Sequence, residues 1–413
     1  MPCRRDPGSG VSAMAAAPSR IAVVGASAAG LSVVEGLRRE GYTGSLTLIG
    51  EEKHLPYDRP PLSKQLLSGA WETDRLRLRG ENDIAALDLQ LRLGQPATAL
   101  DTTAGQVTLG DGSLVGYDAL VVATGTRARR LPGTESLPGV HVLRTLEDAL
   151  ALREDLAEQP HLVVVGGGFV GAEVAAVARG LGCEVTLVTD TAQPMGDALG
   201  EELGALLRTV HHEHGVRIET GVLVDRVLAD GGRASGVRLA DGRTLAADVV
   251  LVGIGAQPNT EWLTGSGVPV GNGVECDATL YAGSGVWAAG DVACWLNTRT
   301  GEPWRIEHRT NAAEQGLAVA RNILAGPERA TPFAPVPYVW SDQYDLKIQI
   351  YGRTRGADEV RVVEGSTAER KLVALYGRNG RTCAAVGINM VRALRGYRAQ
   401  VAAAAPLLTG SAA

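Results

Sequence analysis

Uninterrupted aliphatic runs, each stopped by a glycine, recur along the chain and lead into stretches with apolar residues at helical spacing. The run Ile21-Ala22-Val23-Val24 stops at Gly25; a helix is expected over 29–40 and a second strand over 45–49. The same order returns after Leu162-Val163-Val164-Val165, which stops at Gly166, with a helix expected through Leu181 and a strand over 184–188. Runs that are apolar throughout mark strands buried on both faces, as in parallel sheets, whereas one-faced strands alternate. Further strands are expected at 119–123, 248–255 and 285–289, and a helix over 311–324 before the Gly326-Pro327 break. From Ala330 the segments become short and alternating, with turns at Gly352, Gly356 and 377–380, which predicts a small α+β unit.

The two glycine turns lie 141 positions apart. A buried strand, a turn with little side chain and a helix N-terminus together make a cradle for a pyrophosphate. In the first turn, Gly25, Ala28, Ala29 and Gly30 surround Ser27, a small residue where a middle glycine is usual. Glu51, 21 positions after Gly30, is placed to accept from ribose hydroxyls. The alternative for this motif is a plain strand–helix turn with a surface glutamate. The second turn keeps Gly166, Gly168 and Gly171, with Phe169 and Val170 between them. Its following strand ends at Thr189-Asp190, and no Lys or Arg occurs over 186–207. An acid such as Asp190 suits the free 2′-hydroxyl of NADH, whereas the 2′-phosphate of NADPH calls for arginine, so NADH is preferred over NADPH. Two dinucleotides on one chain imply a relay of electrons.

At 413 residues the chain exceeds one core. The simplest assembly is nested: a dinucleotide domain over 20–125 and 248–326, interrupted by a second over 126–247, with a C-terminal domain over 327–413. Residues 1–19, rich in Ala, Gly, Ser and Pro, read as a disordered tail. The net charge of −6 argues against nucleic-acid binding, and no segment has the apolar length of a membrane span. The five cysteines form no C-x-x-C pair and no metal-ligand spacing, which fits reduced thiols in a cytoplasmic protein without a metal site.

Other segments are more specific: 55–64 (LPYDRPPLSK), 144–149 (RTLEDA) and 340–344 (WSDQY), together with Ala123-Thr124-Gly125 and Ala289-Gly290-Asp291. With the two fingerprints, they resemble the FAD-dependent ferredoxin reductases of the putidaredoxin reductase and rhodocoxin reductase type, two-dinucleotide flavoproteins serving cytochrome P450 and dioxygenase systems. The resemblance spans about residues 20–395. It implies an α/β fold of the glutathione-reductase-like kind, with two nested Rossmann-like domains, one for FAD and one for NAD(H), and a C-terminal α+β domain. It also implies that Ala29 and Gly30 approach the FAD pyrophosphate, Glu51 the adenosine ribose and Ala97 the adenine. Lys64 would then lie near flavin N5, Arg59 and Arg144 on the FAD side, and Asp291 on the ribityl chain. Gly125, Gly253, Gly255 and Gly290 complete the cofactor-binding set. Arg59 and Arg144 as solvated cations, and Asp291 as a helix cap, are the plain alternatives.

In the related reductases an acid matching Glu173 faces the lysine matching Lys64. The resemblance therefore implies a Lys64–Glu173 pair orienting nicotinamide toward flavin; the rival is a first-turn acid complementing the helix dipole. Arg309 departs from the family's usual apolar residue, and is expected either to add charge near the ring or to turn outward to an acidic partner. No cysteine occurs between Gly30 and Val122, which excludes a disulfide reductase or cysteine peroxidase whose sulfur sits early in the FAD domain. Outward single-electron transfer to a small acidic iron–sulfur ferredoxin remains. Residues 327–413 carry 12 Lys or Arg against 7 Asp or Glu, so this acidic chain concentrates positive charge there, including Arg392, Arg395 and Arg398. Trp340 is expected either to meet ferredoxin at the flavin edge or to pack in the C-terminal core. Two other readings stay open: an NADH oxidase or quinone reductase, and a redox-dependent flavoprotein binding module with the architecture of apoptosis-inducing factor.

Overall fold

In the computed structural model, which describes residues 17–407, a six-stranded sheet runs in the order Tyr281–Gly283, Val286–Ala288, Ala119–Val122, Arg20–Val24, Ser45–Gly50, Gln90–Leu93. All neighbours are parallel except the first pair. Strand Arg20–Val24 has the next strand of the chain on one side and a much later one on the other. At such a switch of direction the connections diverge and leave a crevice beyond the carboxyl end of the strand, where ligands of open α/β sheets bind. Helix Ala28–Arg39 leaves from this point and packs on helix Arg309–Ala325. Glycine permits the close approach: a Cβ on Gly316 would lie 2.6 Å from the Ala29 carbonyl oxygen.

The second sheet repeats the device. Its order is Arg217–Glu219, Glu184–Val188, His161–Val165, Val249–Val252, Val140–His141, all parallel, again with the glycine-terminated strand at the switch. Helix Phe169–Gly180 follows. The strand expected over 248–255 is shorter, because Gly255 takes φ +94° and turns the chain into Ala256–Pro258. That segment pairs antiparallel with Thr126–Ala128, so the two stretches crossing between the sheets form one ribbon.

The C-terminal part is a five-stranded antiparallel sheet in the order Tyr338–Gln343, Leu346–Gly352, Arg381–Ile388, Lys371–Arg378, Glu359–Ser366. Helices Val391–Gly396 and Arg398–Ala402 cover it. Its apolar face joins Leu199, Leu203 and Leu207 of helix Gly196–Glu213 in a shared core. Of the tail expected over 1–19, residues 1–16 lie outside the described residues, while Ser19 donates to Asp118 through its hydroxyl at 2.5 Å. Among the described residues no helix is long and apolar enough to cross a membrane.

Candidate functional site

The two glycine turns have nearly the same close contacts. A Cβ on Gly25 would lie 2.0 Å from the Ala123 carbonyl oxygen, and one on Gly166 would lie 2.3 Å from that of Gly253. Gly30 and Gly171 would place a Cβ 1.9 and 2.0 Å from the carbonyl oxygens of Gly25 and Gly166, so each helix can meet its strand only through glycine. Gly168 is different: an added Cβ meets no protein atom within 4 Å, and this open space explains how Ser27 serves in the first turn. Neither Ser27 nor Gly168 caps its helix through a side chain, and neither first turn carries an acid. Helix Leu146–Leu156, by contrast, starts with a Thr145–Asp148 capping box. The amide groups at the start of both fingerprint helices thus remain available to an anion.

Glu51 is exposed just past strand Ser45–Gly50. Ala97 comes to the same end, because Gly94 and Gln95 donate to the carbonyls of Glu52 and Gly50. Beyond strand Glu184–Val188, Asp190 is exposed while Thr189 is buried, its hydroxyl 2.8 Å from that of Thr191. Val170 reaches solvent, whereas Phe169 packs on the core shared with the C-terminal sheet.

Between the two turns lies a buried ion pair. Lys64 Nζ donates to Glu173 Oε2 at 2.6 Å, with the residues 9% and 4% exposed. Lys64 follows the turn Pro60–Ser63, and Glu173 sits two residues beyond Gly171 on the second fingerprint helix. Ser63 Oγ donates to Glu173 Oε2 at 2.5 Å and Ser341 Oγ to Glu173 Oε1 at 2.7 Å, so three distant parts of the chain meet on one carboxylate. Ser63 and Ser341 were not singled out in the sequence, although each neighbours a residue that was.

A second network holds the arginines. Arg59 donates to Glu52 Oε1 at 2.6 Å and to the Arg144 carbonyl at 2.5 Å. Tyr57 donates to Glu52 Oε2 at 2.5 Å and accepts from the Leu146 amide. Burial opposes the Arg59 charge, yet Tyr57 and Glu52 hold its pKa above the ordinary value. Arg144 donates to Asp291 Oδ2 at 2.8 Å and to the Thr126 carbonyl at 2.9 Å, and its guanidinium lies beside Gly125. Arg59 and Arg144 are therefore paired groups, not free surface cations. Thr124 fixes the neighbouring loop by donating to the Asn259 carbonyl at 2.7 Å. The Gly290 amide donates to Gln315 Oε1 at 2.7 Å. Thr126 Oγ1, His308 Nδ1, Asn311 Oδ1 and Gln315 Nε2 are buried without a partner among the described residues. A set of unmet donors and acceptors in the segments around Arg144 and Asp291 fits a ligand rich in hydroxyls and ring nitrogens, as FAD is.

Arg309 does not turn outward but pairs within the chain. Its Nε donates to Asp58 Oδ1 at 2.6 Å, an acid within this chain, because both side chains sit half-buried where the 55–64 loop meets the start of helix Arg309–Ala325. Trp340 lies on the same strand as Ser341, and strand alternation puts the two on opposite faces. Its ring stacks on Tyr338 at 5.9 Å, away from the Lys64–Glu173 pair.

Residues 19–316 match the pyridine nucleotide-disulphide oxidoreductase family, and residues 338–413 match the reductase C-terminal family. The chain belongs to the pyridine nucleotide-disulphide oxidoreductase family. It is 38% identical to rhodocoxin reductase of Rhodococcus erythropolis over 84% of this chain and 81% of that protein. It is equally identical, over 84% of each chain, to the ferredoxin–NAD(+) reductase component of the p-cumate 2,3-dioxygenase system of Pseudomonas putida. The crystal structure of the ferredoxin reductase for the CYP199A2 system from Rhodopseudomonas palustris matches with a TM-score of 0.88 at 36% identity, covering 92% of this chain and 93% of that one. Despite the family's name, the cysteines among the described residues (Cys183, Cys276, Cys294 and Cys383) are all unpaired. No metal-binding cluster occurs among the described residues.

Proposed function

We propose that this protein is an FAD-dependent NADH:ferredoxin reductase, feeding a cytochrome P450 or ring-hydroxylating dioxygenase through a small acidic iron–sulfur protein. The observation that carries the reading is the buried Lys64–Glu173 pair, which joins the loop beyond the first glycine turn to the helix of the second. The relatives above, named for ferredoxin, P450 and dioxygenase systems, support the same electron acceptor. When bound, FAD supplies a ring that takes two electrons as hydride and yields them singly.

The turn of Gly25 to Gly30 and its helix N-terminus would hold the FAD pyrophosphate, with Glu51 accepting from the ribose and Ala97 on the adenine side. Arg144 and Asp291 bind the flavin side in their paired state. Gly166, Gly168 and Gly171, with Phe169 and Val170, seat the nicotinamide dinucleotide, and Asp190 selects its free 2′-hydroxyl. Lys64 presents positive charge to the reacting region, and Glu173 offsets the burial of that charge and fixes its direction. Trp340, Tyr338 and Tyr351 form an aromatic run that ends under Arg398, a surface suited to an acidic partner. A cytoplasmic location fits this reading, since scattered cysteines without a C-x-x-C pair suit reduced thiols.

The purified protein is expected to be yellow and to bleach with NADH under anaerobic conditions. Steady-state turnover with a small [2Fe–2S] ferredoxin, oxygen and a quinone then separates the readings. Ferredoxin should be reduced fastest; faster turnover of oxygen or quinone would make the protein an oxidase or quinone reductase instead.

A further inference from the structure

The Lys64–Glu173 pair is one end of a longer buried chain of hydrogen bonds. Ser341 Oγ, which donates to Glu173 Oε1, accepts from Gln343 Nε2 at 3.0 Å. Gln343 Oε1 lies 3.0 Å from His211 Nε2, and His211 Nδ1 lies 3.0 Å from the Tyr344 hydroxyl. Ser341, Gln343 and His211 are wholly buried. Tyr344, at the tip of the hairpin, stacks on His214 at 3.7 Å and takes φ +54°, a left-handed conformation disfavoured for a bulky residue. These ring contacts hold it there.

The direction of the chain follows from the chemistry of its members. The Gln343 oxygen can only accept, so His211 Nε2 donates, and a neutral imidazole then accepts from Tyr344 at Nδ1. Burial lowers the His211 pKa to about 4, which keeps the ring neutral. Every donor from Tyr344 onward points toward Glu173, and such aligned bonds reinforce one another in a low-dielectric interior. A carboxamide in the middle does not hand on a proton without changing tautomer, so the chain is suited to holding groups in place and not to conducting protons.

We propose that Ser341, Gln343, His211 and Tyr344 are positioning residues that fix the Glu173 carboxylate, and through it the Lys64 ammonium, from a site on the far side of the C-terminal hairpin. The inference rests on the reading above, in which Lys64 and Glu173 serve hydride transfer. None of the four needs to touch substrate; they act through Glu173.

The test uses the full-length holoprotein and two readouts: the midpoint potential of the bound flavin and single-turnover reduction by NADH. Lys64→Met is the reference. His211→Phe and Gln343→Leu are expected to move the potential in the same direction as Lys64→Met and to slow reduction on the order of tenfold. His211→Gln, which restores a donor toward Gln343, should recover most of both. In a Lys64→Met background His211→Phe should add nothing, as groups acting through one another are non-additive. Tyr344→Phe removes only the half-buried hydroxyl and carries the test if the buried variants fail to fold. Unchanged potential and rate in His211→Phe and Tyr344→Phe, or losses that add to those of Lys64→Met, would overturn the relay while leaving the Lys64 reading intact. A silent Lys64→Met would overturn that reading, and the relay with it.

Discussion

His211 is buried and His308 half-buried with its Nδ1 sealed from solvent, and neither has a carboxylate in contact. Burial is the main cause for both, lowering each from the ordinary 6.5 to about 4. His211 faces Gln343 and Tyr344, with His212 and His214 nearby, and Asp291 and Arg353 act on His308. Unfolded, each ring takes a proton near 6.5; folded, it refuses one until about 4. The unfolded state therefore binds more protons in this window, and stability that is complete above about pH 6.5 falls as pH drops toward 4. The loss approaches about 3 kcal/mol per histidine at the low end. Urea denaturation at pH 7.5 and pH 5 should show the decline, and His211→Gln should lessen it by about half, leaving the share of His308; a level profile in the wild type would contradict the burial argument. Lys64 and Glu173 could be named from motifs in the sequence. Ser341, Gln343 and His211 could not be tied to them, because the partners lie far apart in the chain and meet only when the C-terminal sheet docks on helix Gly196–Glu213.

The two glycine turns make unequal demands along their length, and substitution should expose this. Gly171→Ala drives a methyl into the Gly166 carbonyl and should cost about 2–3 kcal/mol. Gly168→Ser meets open space and should fold normally, as Ser27 does in the first turn. Thermal melts of the two variants would check the contrast; equal destabilisation would refute it. These elements were readable because aliphatic runs, glycine spacing and helical periodicity agree within a few residues. Boundaries shifted slightly: helix 29–40 became Ala28–Arg39 and helix 311–324 became Arg309–Ala325. The small sheets, such as Ala97–Asp101 with Gln106–Leu109 and Leu114–Gly116, gave no comparable signal. Their strands are short and half-exposed, and pairing with neighbours, not local preference, makes them strands.

Charge is distributed unevenly over the molecule, with the basic excess in 327–413. Arg392, Arg395 and Arg398 are exposed, and Arg398 lies over the Tyr351 ring that continues the Trp340–Tyr338 stack. Long-range attraction of this kind raises encounter rates and is screened within about 8 Å at physiological ionic strength. Ferredoxin-dependent kcat/KM should therefore fall steeply with added salt. Replacing the three arginines by glutamate should lower it about tenfold or more and level the salt dependence. A salt-independent wild type would place the docking surface elsewhere.

The ribbon of Thr126–Ala128 against Ala256–Pro258 has a consequence for how this architecture can be altered. Where the chain enters and leaves the second sheet, its two ends are already zipped together. Chain continuity therefore lets a unit of different coenzyme preference be exchanged at this stem, provided it keeps the helix Gly196–Glu213 face and the Glu173 carboxylate that dock on the C-terminal sheet and the 55–64 loop.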